Sequence, residues 1–475
     1  MTGLIGILIA LGLLILLVYR GLSVLIAAPL AAALAAAFSG VPVLAALTQL
    51  MMPGTGSFIV QFMLLFLLGA IFGKLMEDTG AARVLALSLA ERLGPTHTIP
   101  AVVLACAVLT YGGVSLFVVA FAVAPLAAEL FARAGLPRRL IPATIALGAF
   151  TFTMSALPGT PAIQNAIPMP FFGTTAFAAP GLGFLGAAVM LAFGLGWLLW
   201  RARSGVLADD AEPVAAAPLS RRMRELAQGE GFDIAEACQD GVAPDNLPPI
   251  WLAALPILAV VVLNGLFVWL VLPLFDSAFL AEPRWGETTF ERVRGVWAII
   301  LALTLTIALI VQTNRSRLPA LTDSLSAGAG AAALPLLSTA VLVGFGTVVA
   351  ALPAFAVVRD AVLGVAPGSP LVSLALSMNV LAGITGSASG GMSIALATMG
   401  DDYLARGLAA GIAPEVMHRV ASIASGGLDA LPQNGAVVTL LSVCRLTHRQ
   451  AYADIFMVAC VGPLLALVVV VLVAA

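Results

Sequence analysis

The chain has 475 residues, of which 61% are hydrophobic and only 10% are charged. Soluble domains carry about 25% charged residues, so this composition excludes a soluble globular protein and predicts a polytopic membrane protein. The formal net charge of −2, without any basic cluster, gives no indication of a nucleic-acid partner. Four cysteines without CxxC spacing predict neither a disulfide framework nor a metal site.

The first half of the chain is a series of apolar segments, each close to the roughly 20 residues that a membrane-spanning helix needs. The most N-terminal segment lacks a basic flank and a clear cleavage site, so we expect a retained span rather than a signal peptide. Three simple spans precede a double segment, a span interrupted by prolines and a final span. Their ranges are 3–19, 21–38 and 56–74, then 97–132, then 139–170, then 179–200.

A polar stretch, 201–248, divides the chain almost in half and is predicted to be a cytoplasmic linker. The second half then repeats the order of the first. This order predicts an all-α fold of two repeats, each with a scaffold part (1–96 and 249–365) and a transport part (97–200 and 366–475). The segments of the second half are 249–274, 293–312, 331–355, the double segment 366–402, the interrupted span 412–445, and 451–474.

Each double segment is interrupted by a glycine-rich polar tip, 110–115 in the first half and 385–393 in the second. The arms on either side are short, and such a tip is poorly suited to a loop in water between two full spans. We therefore interpret both segments as re-entrant hairpins whose tips meet at mid-membrane. The alternative is a pair of ordinary spans with a glycine kink.

Each interrupted span contains residues that an unbroken helix does not accommodate. In the first, Pro158 and Pro161 flank Gly159, and proline removes a backbone donor and restricts the residue before it. In the second, Asp429 and Pro432 follow a glycine pair. Non-helical backbone at membrane depth is tolerated only where it is buried in protein or lines a cavity. Paired broken helices therefore point to the binding site of a transporter.

Tips and breaks together carry the side chains that could enclose a ligand. No Lys or Arg occurs in them, so a bound carboxylate would be held by backbone N–H groups, helix dipoles and hydroxyls. The alternative for each hydroxyl is a hydrogen bond back to its own helix. The candidate substrate-binding residues are Gly112, Gly113, Ser115, Ser155, Gly159, Thr160, Gln164, Asn165, Thr385, Gly386, Ser387, Ser389, Gln433 and Asn434.

One acidic residue, Asp429, lies inside an apolar span. A carboxylate at the bilayer centre costs roughly 2.5–3.5 kcal/mol, so it needs a partner, a proton or a cation. We expect Asp429 to be the proton-coupling site or a cation ligand. The alternative is a structural role, as the N-cap of the following half-helix or as the partner of a distant side chain.

The basic residues predict the orientation. If the hairpins make no net crossing, each half crosses the membrane an odd number of times and the repeats are inverted. A cytoplasmic linker then places both termini outside and most basic residues inside, as the positive-inside rule requires. His97, His418 and His448 fall near span ends and are expected at the interface. The basic residues left outside are Arg284, Arg292, Arg294, Arg359, Arg406 and Arg419.

Three motifs carry a resemblance to a known family. The run at 69–82 (GAIFGKLMEDTGAA) resembles the segment after the third span of the gluconate permease family, within the ion-transporter superfamily. The runs at 111–117 (YGGVSLF) and 156–161 (ALPGTP) are similar to a branch of that family. The resemblance covers nearly the whole chain apart from the linker. It implies a homodimer of inverted repeats and a proton-coupled importer of small organic acids in the bacterial inner membrane.

The sequence departs from gluconate importers at two of these places. The resemblance leads one to expect a glutamate in the first hairpin and a histidine-proline pattern at the first break. This chain has Gly113-Val114-Ser115 and Leu157-Pro158-Gly159 there. A shorter, less hydroxylated acid than gluconate, such as 3-hydroxybutyrate or a similar monocarboxylate, is therefore the expected substrate.

These observations predict a secondary active transporter that imports a small carboxylate by proton symport, with the lipid bilayer and the organic acid as its partners and no cofactor besides the coupling ion. Sodium coupling is the alternative within transport, because carbonyls and hydroxyls are suitable ligands for a hard cation. A channel is the alternative from another class. No phosphate-binding loop supports ATP-driven transport, and no catalytic pair at membrane depth indicates an enzyme.

Overall fold

A computed structural model describes residues 2–20, 22–94, 97–204, 246–366, 368–432 and 434–474. Within these ranges the chain is helical, without a β-strand, and the predicted all-α membrane fold is confirmed. Most of the predicted linker and the candidate residue Gln433 lie outside the described residues.

The first half begins with apolar helices and ends in a series of short ones. Helix α2 begins after Ser23, whose side chain accepts a hydrogen bond from the backbone N–H of Leu25. Several later helices have a proline at their first or second residue, where its fixed φ suits the first turn. The helices are α1 (Thr2–Tyr19), α2 (Val24–Phe38), α3 (Val43–Asp78), α4 (Ala81–Leu93), α5 (Thr98–Tyr111), α6 (Leu116–Arg133), α7 (Ile141–Ala149), α8 (Phe152–Ser155), α9 (Ile163–Ala166), α10 (Pro168–Phe172) and α11 (Pro180–Arg203).

The second half repeats this order of elements. A long third helix is again followed by a short helix, a helical hairpin, a broken helix and a long final helix. The helices are α12 (Ile250–Leu274), α13 (Phe290–Thr313), α14 (Leu321–Ala351), α15 (Phe355–Gly364), α16 (Pro370–Thr385), α17 (Ala388–Ala409), α18 (Pro414–Ser425), α19 (Gly435–Val443) and α20 (His448–Ala474).

Six helices within the described residues are long and apolar enough to cross a membrane: α3, α11, α12, α13, α14 and α20. The first two helices of the chain are apolar but shorter, with 18 and 15 residues. At 1.5 Å per residue they are about 27 and 22 Å long, less than the roughly 30 Å of a hydrocarbon core. The predicted spans 3–19 and 21–38 are therefore present as apolar helices, the first near the lower limit of spanning length and the second below it.

The packing of the helices repeats between the two halves. The two long third helices, α3 and α14, pack against each other, and each also contacts the second helix of the other half, α13 and α2 respectively. Within each half, the first arm of the hairpin and the first part of the broken helix are neighbours, α5 with α7 and α16 with α18. The final helices α11 and α20 pack together. This exchange of partners is the arrangement expected of two structural repeats, whose inversion in the membrane stays a prediction.

The two hairpins are tight helical turns. Helices α5 and α6 are joined by 112–115, and α16 and α17 by Gly386 and Ser387. In the second hairpin Gly391 lies against the backbone of Ala382 and Leu381, where no larger residue fits. Ser387 caps α17 by accepting a hydrogen bond from the N–H of Gly390, at 3.3 Å. The tips thus have defined conformations, and their re-entrancy stays a prediction.

Candidate functional site

The first interrupted span is broken as the prolines predict. Helix α8 ends at Ser155, the chain is non-helical from Ala156 to Ala162, and α9 begins at Ile163. Gly159 has φ of 84°, in the left-handed region that glycine adopts without strain. The segment 156–162 is called the first break below.

Protein groups satisfy the backbone of the first break. The N–H of Gly159 donates to the carbonyl of Ala176 at 2.8 Å, and its carbonyl accepts from Nδ2 of Asn264 at 3.4 Å. The hydroxyl of Tyr111, at the first hairpin tip, donates to the carbonyl of Pro158 at 2.8 Å. Non-helical backbone of this kind is compatible with membrane depth because it is enclosed by protein.

The side chain of Asn165 is buried at the centre of this region and uses its full hydrogen-bonding capacity. Its Nδ2 donates to the carbonyls of Thr160 and Ala176, both at 3.0 Å. Its Oδ1 accepts from Nη1 of Arg419 at 3.1 Å and from Nε2 of His418 at 3.2 Å. An amide has two donors and two acceptor lone pairs, so all four are occupied.

Arg419, on α18 of the other half, is fully buried against the first break. Its Nε donates to the carbonyl of Ala178 at 3.1 Å, and Nη2 donates to the same oxygen at 2.8 Å and to that of Ala176 at 3.4 Å. Nη1 donates to the carbonyl of Ser155 at 3.4 Å and to Asn165. The guanidinium has five N–H groups, and all five are used. The predicted position of Arg419 on the outer side is therefore wrong.

His418 and Ser422 complete this cluster. His418 is fully buried, with Nδ1 2.6 Å from the hydroxyl oxygen of Thr174, so its predicted interfacial position is wrong as well. The hydroxyl of Ser422 donates to the carbonyl of Ser155 at 2.8 Å. We call Ser155, Asn165, Thr174, His418, Arg419 and Ser422 the Arg419 cluster. It joins α18 of the second half to the first break.

The second interrupted span is broken between α18 and α19, as predicted. Asn434 is the N-cap of α19, because its Oδ1 accepts from the N–H groups of Ala436 and Val437 at 2.7 and 3.2 Å. Its Nδ2 donates to the carbonyl of Gly386 at 2.8 Å, which ties the second hairpin tip to this break. The N-cap role considered for Asp429 is therefore wrong.

Asp429 lies half-buried in the loop between α18 and α19. This loop is attached to the start of α20, since Tyr452 donates its hydroxyl to the carbonyl of Ala430 at 3.2 Å. Nε2 of His448 donates to the carbonyl of Pro432 at 2.9 Å. The structure thus holds Asp429 inside the protein fold, in a segment that hydrogen bonds to Ala430 and Pro432 fix on its C-terminal side.

The structure brings the predicted residues together as two groups that meet at Ser155. In the first group, Gly113 at the hairpin tip lies against Pro161, with only 2.7 Å between the ring and a Cβ built on the glycine. In the second group, Asn434 contacts the tip at Gly386. The halves meet where α18 contacts Ser155. Direct contact between the two tips stays a prediction.

The hydroxyls and amides of the candidate residues have different local roles. The hydroxyl of Ser155 donates to the carbonyl of Thr151, the N-cap residue of α8, at 3.2 Å. The hydroxyl of Thr385 donates to the carbonyl of Leu381, in its own helix, at 2.8 Å. Gln164 is buried, and its Oε1 has no hydrogen-bond partner among the described residues. The remaining candidates at the breaks and tips are the buried Gly112, Gly159 and Thr160, the exposed Ser115, and Ser389, which lies 3.2 Å from Ser387.

Sequence reasoning missed Thr174, His418, Arg419 and Ser422. A signal for Arg419 was present, because it lies inside the predicted interrupted span 412–445, and an ionisable residue within a span is a functional candidate by default.

Comparisons with known proteins agree with this architecture. The family model described as GntP family permease matches residues 2–389. The "Uncharacterized transporter YxjC" of Bacillus subtilis (strain 168) is 43% identical over 469 residues, which cover 95% of this chain and 95% of that protein. The crystal structure of the Alcanivorax borkumensis YdaH transporter superposes with a TM-score of 0.50 and 16% identity, over 89% of this chain and 86% of that chain. At that identity the likeness shows the fold alone.

The resemblance inferred from the three sequence motifs is confirmed by these matches. The family model covers most of the chain, and the Bacillus transporter aligns along nearly all of it. The apolar helices, the family and the fold make the protein a multi-pass membrane transporter. The chain belongs to the GntP permease family.

Proposed function

We propose that the protein is a secondary active transporter that imports a small organic carboxylate by proton symport across the bacterial inner membrane. The observation that carries this proposal is the buried meeting of two broken helices, one from each half, at Ser155. Broken helices that meet inside a membrane protein provide free backbone groups to a substrate and a coupling ion. An enzymatic role has no support in this arrangement.

An anionic substrate fits the charge of the site. Arg419 brings a cation to the first break, and among the described residues its hydrogen-bond partners are neutral carbonyl or amide oxygens. A buried positive charge without a carboxylate partner favours an anion nearby. The substrate class is a hydroxy or keto monocarboxylate, gluconate-like or 3-hydroxybutyrate-like. A thermal-shift screen of the purified protein against C3–C6 hydroxy and keto acids tests this class.

Transport requires that one part of the protein move against another. A cavity of about 450 Å³ lies between helices of the scaffold parts and those of the transport parts. Gln61 and Arg292 line it from α3 and α13, and Phe171 and Thr398 line it from α10 and α17. We propose alternating access by a rigid-body shift along this boundary, in a homodimer with both termini outside and the linker in the cytoplasm.

Asp429 is the proposed site of the coupling proton. Replacing Asp429 with Asn should abolish accumulation driven by a pH gradient, because an amide does not exchange a proton in this range, while exchange of substrate across the membrane continues. Uptake and counterflow in proteoliposomes measure the two activities. The exposed Asp360 provides a matched control, and Asp360→Asn should accumulate substrate normally.

Uptake into the same proteoliposomes also distinguishes proton symport from sodium symport and from a channel. Accumulation under a sodium gradient alone, without a pH gradient, would establish sodium coupling instead. Saturable uptake with counterflow is expected of a transporter, and unsaturable flux would indicate a channel. Unimpaired proton-driven accumulation by Asp429→Asn would remove this carboxylate from the mechanism.

A further inference from the structure

Arg419 is a buried cation that contacts the protein on both sides of the first break. Its guanidinium lies between the last residue of α8, Ser155, and the loop that carries Ala176 and Ala178, and it binds the carbonyl oxygens of all three. The end of a helix presents partial negative charge on its unpaired carbonyls. A metal ion bound to a broken helix would be held by the same kind of oxygen atoms.

We propose that Arg419 is a positioning residue that acts as a tethered cation, holding the first break in its conformation in place of an exchangeable ion. It does not touch the substrate, because all five of its N–H groups already have acceptors in the protein. It comes from the second half of the chain, whereas its four acceptor residues flank the first break: Ser155 directly precedes it, and Asn165, Ala176 and Ala178 follow it. The two broken helices are thereby joined at this point and move as one body.

The second interrupted span supplies no such cation after Arg419. Its sequence from 420 to 444 contains no Lys or Arg, and it carries the carboxylate of Asp429. Gly427, in the same loop, lies against Asn379, whose Oδ1 is buried without a hydrogen-bond partner among the described residues. A carboxylate in the loop that contacts this unpaired oxygen suits a proton or a small cation. The coupling cation is therefore confined to the second break, a conclusion that rests on the proposed function.

Chemical rescue separates the charge of Arg419 from its shape. Arg419→Ala should lower the Tm of the purified protein and reduce uptake roughly 10–100-fold, as expected when hydrogen bonds from a buried charged group are removed. Millimolar guanidinium should restore part of the Tm and part of the uptake, because it fits the space that the side chain vacated and carries the same charge. Urea is planar and similar in size but neutral, and it should restore neither.

If neither guanidinium nor urea restores the Tm or uptake of Arg419→Ala, a second pair of variants still tests the proposal. Arg419→Lys keeps the charge, and Arg419→Gln removes it. A higher Tm and uptake in the Lys variant than in the Gln variant supports the tethered cation. Equal values in the two variants, equal rescue by urea and guanidinium, or native behaviour of Arg419→Ala would each overturn it.

Arg406 provides the control for the loss of an arginine as such. It is exposed and donates a single hydrogen bond to the carbonyl of Leu363 at 3.0 Å. Arg406→Ala should keep native uptake and show no response to guanidinium. Because Tm is measured without transport, a guanidinium-restored Tm in a protein that carries no tested carboxylate would contradict the proposed function and leave the role of Arg419 intact.

Discussion

Replacing Asn165 with leucine should abolish transport and lower the free energy of unfolding by about 3–5 kcal/mol. The two side chains have nearly the same size, so the change removes hydrogen bonds without removing volume. The carbonyl of Thr160 loses its side-chain donor, and Arg419 and His418 each lose an acceptor. The carbonyl of Ala176 loses the donor from Asn165 and keeps those from Gly159 and Arg419. All of these groups are enclosed by protein, and a buried polar group left unpaired costs about 1–3 kcal/mol, more when it is charged.

The measurements are the Tm of the protein in detergent and the initial uptake rate per molecule in proteoliposomes. Asn165→Asp provides the contrast, since it keeps oxygens for Arg419 and His418 but places a carboxylate oxygen against two carbonyls. We expect an intermediate Tm and reduced uptake for the Asp variant. A native Tm and native uptake in Asn165→Leu would show that the Arg419 cluster does not hold the first break.

The interruptions themselves could be predicted because their causes are local. Pro158 and Pro161 cannot both continue a helix, and the glycine pair before Asp429 has a similar effect in the second half. The structure ends α8 and α18 close to these residues. The repeated order of helices could also be predicted, because the lengths of apolar segments and the positions of glycine-rich tips are properties of the sequence alone.

The partners of the first break could not be predicted in the same way. Arg419 contacts Asn165 across 254 residues of chain, and no local pattern indicates which helix a break will face. Counting basic residues by side of the membrane treated Arg419 as a surface charge, although a charge inside a span needs buried partners. The N-cap of α19 illustrates a smaller error: both Asp429 and Asn434 have suitable side chains, and the backbone path decides for Asn434.

The close approach of α11 to the first break gives a second prediction with a large effect. At Gly183 a Cβ atom would lie 2.5 Å from the carbonyl oxygen of Ala156 and 3.3 Å from Nε of Arg419. Neither neighbour can move freely, since one is backbone and the other is held by its hydrogen bonds. Gly183→Ala should therefore displace the first break, lower the free energy of unfolding by about 1–3 kcal/mol, and reduce uptake about tenfold or more.

Gly181→Ala is the matched control for Gly183→Ala. Gly181 lies on the same helix, two residues earlier, and has open space where a Cβ would be. Alanine is favoured over glycine in a helix by up to about 1 kcal/mol, so helix propensity alone would stabilise both variants. Gly181→Ala should have an unchanged or slightly raised Tm and native uptake, whereas Gly183→Ala should lose both stability and uptake. If Tm falls in Gly183→Ala and does not fall in Gly181→Ala, the loss comes from the contact with the first break and not from a general effect of alanine on α11. Equal Tm values and equal uptake in the two variants would show that the first break tolerates displacement, and its fixed conformation would then have no part in transport.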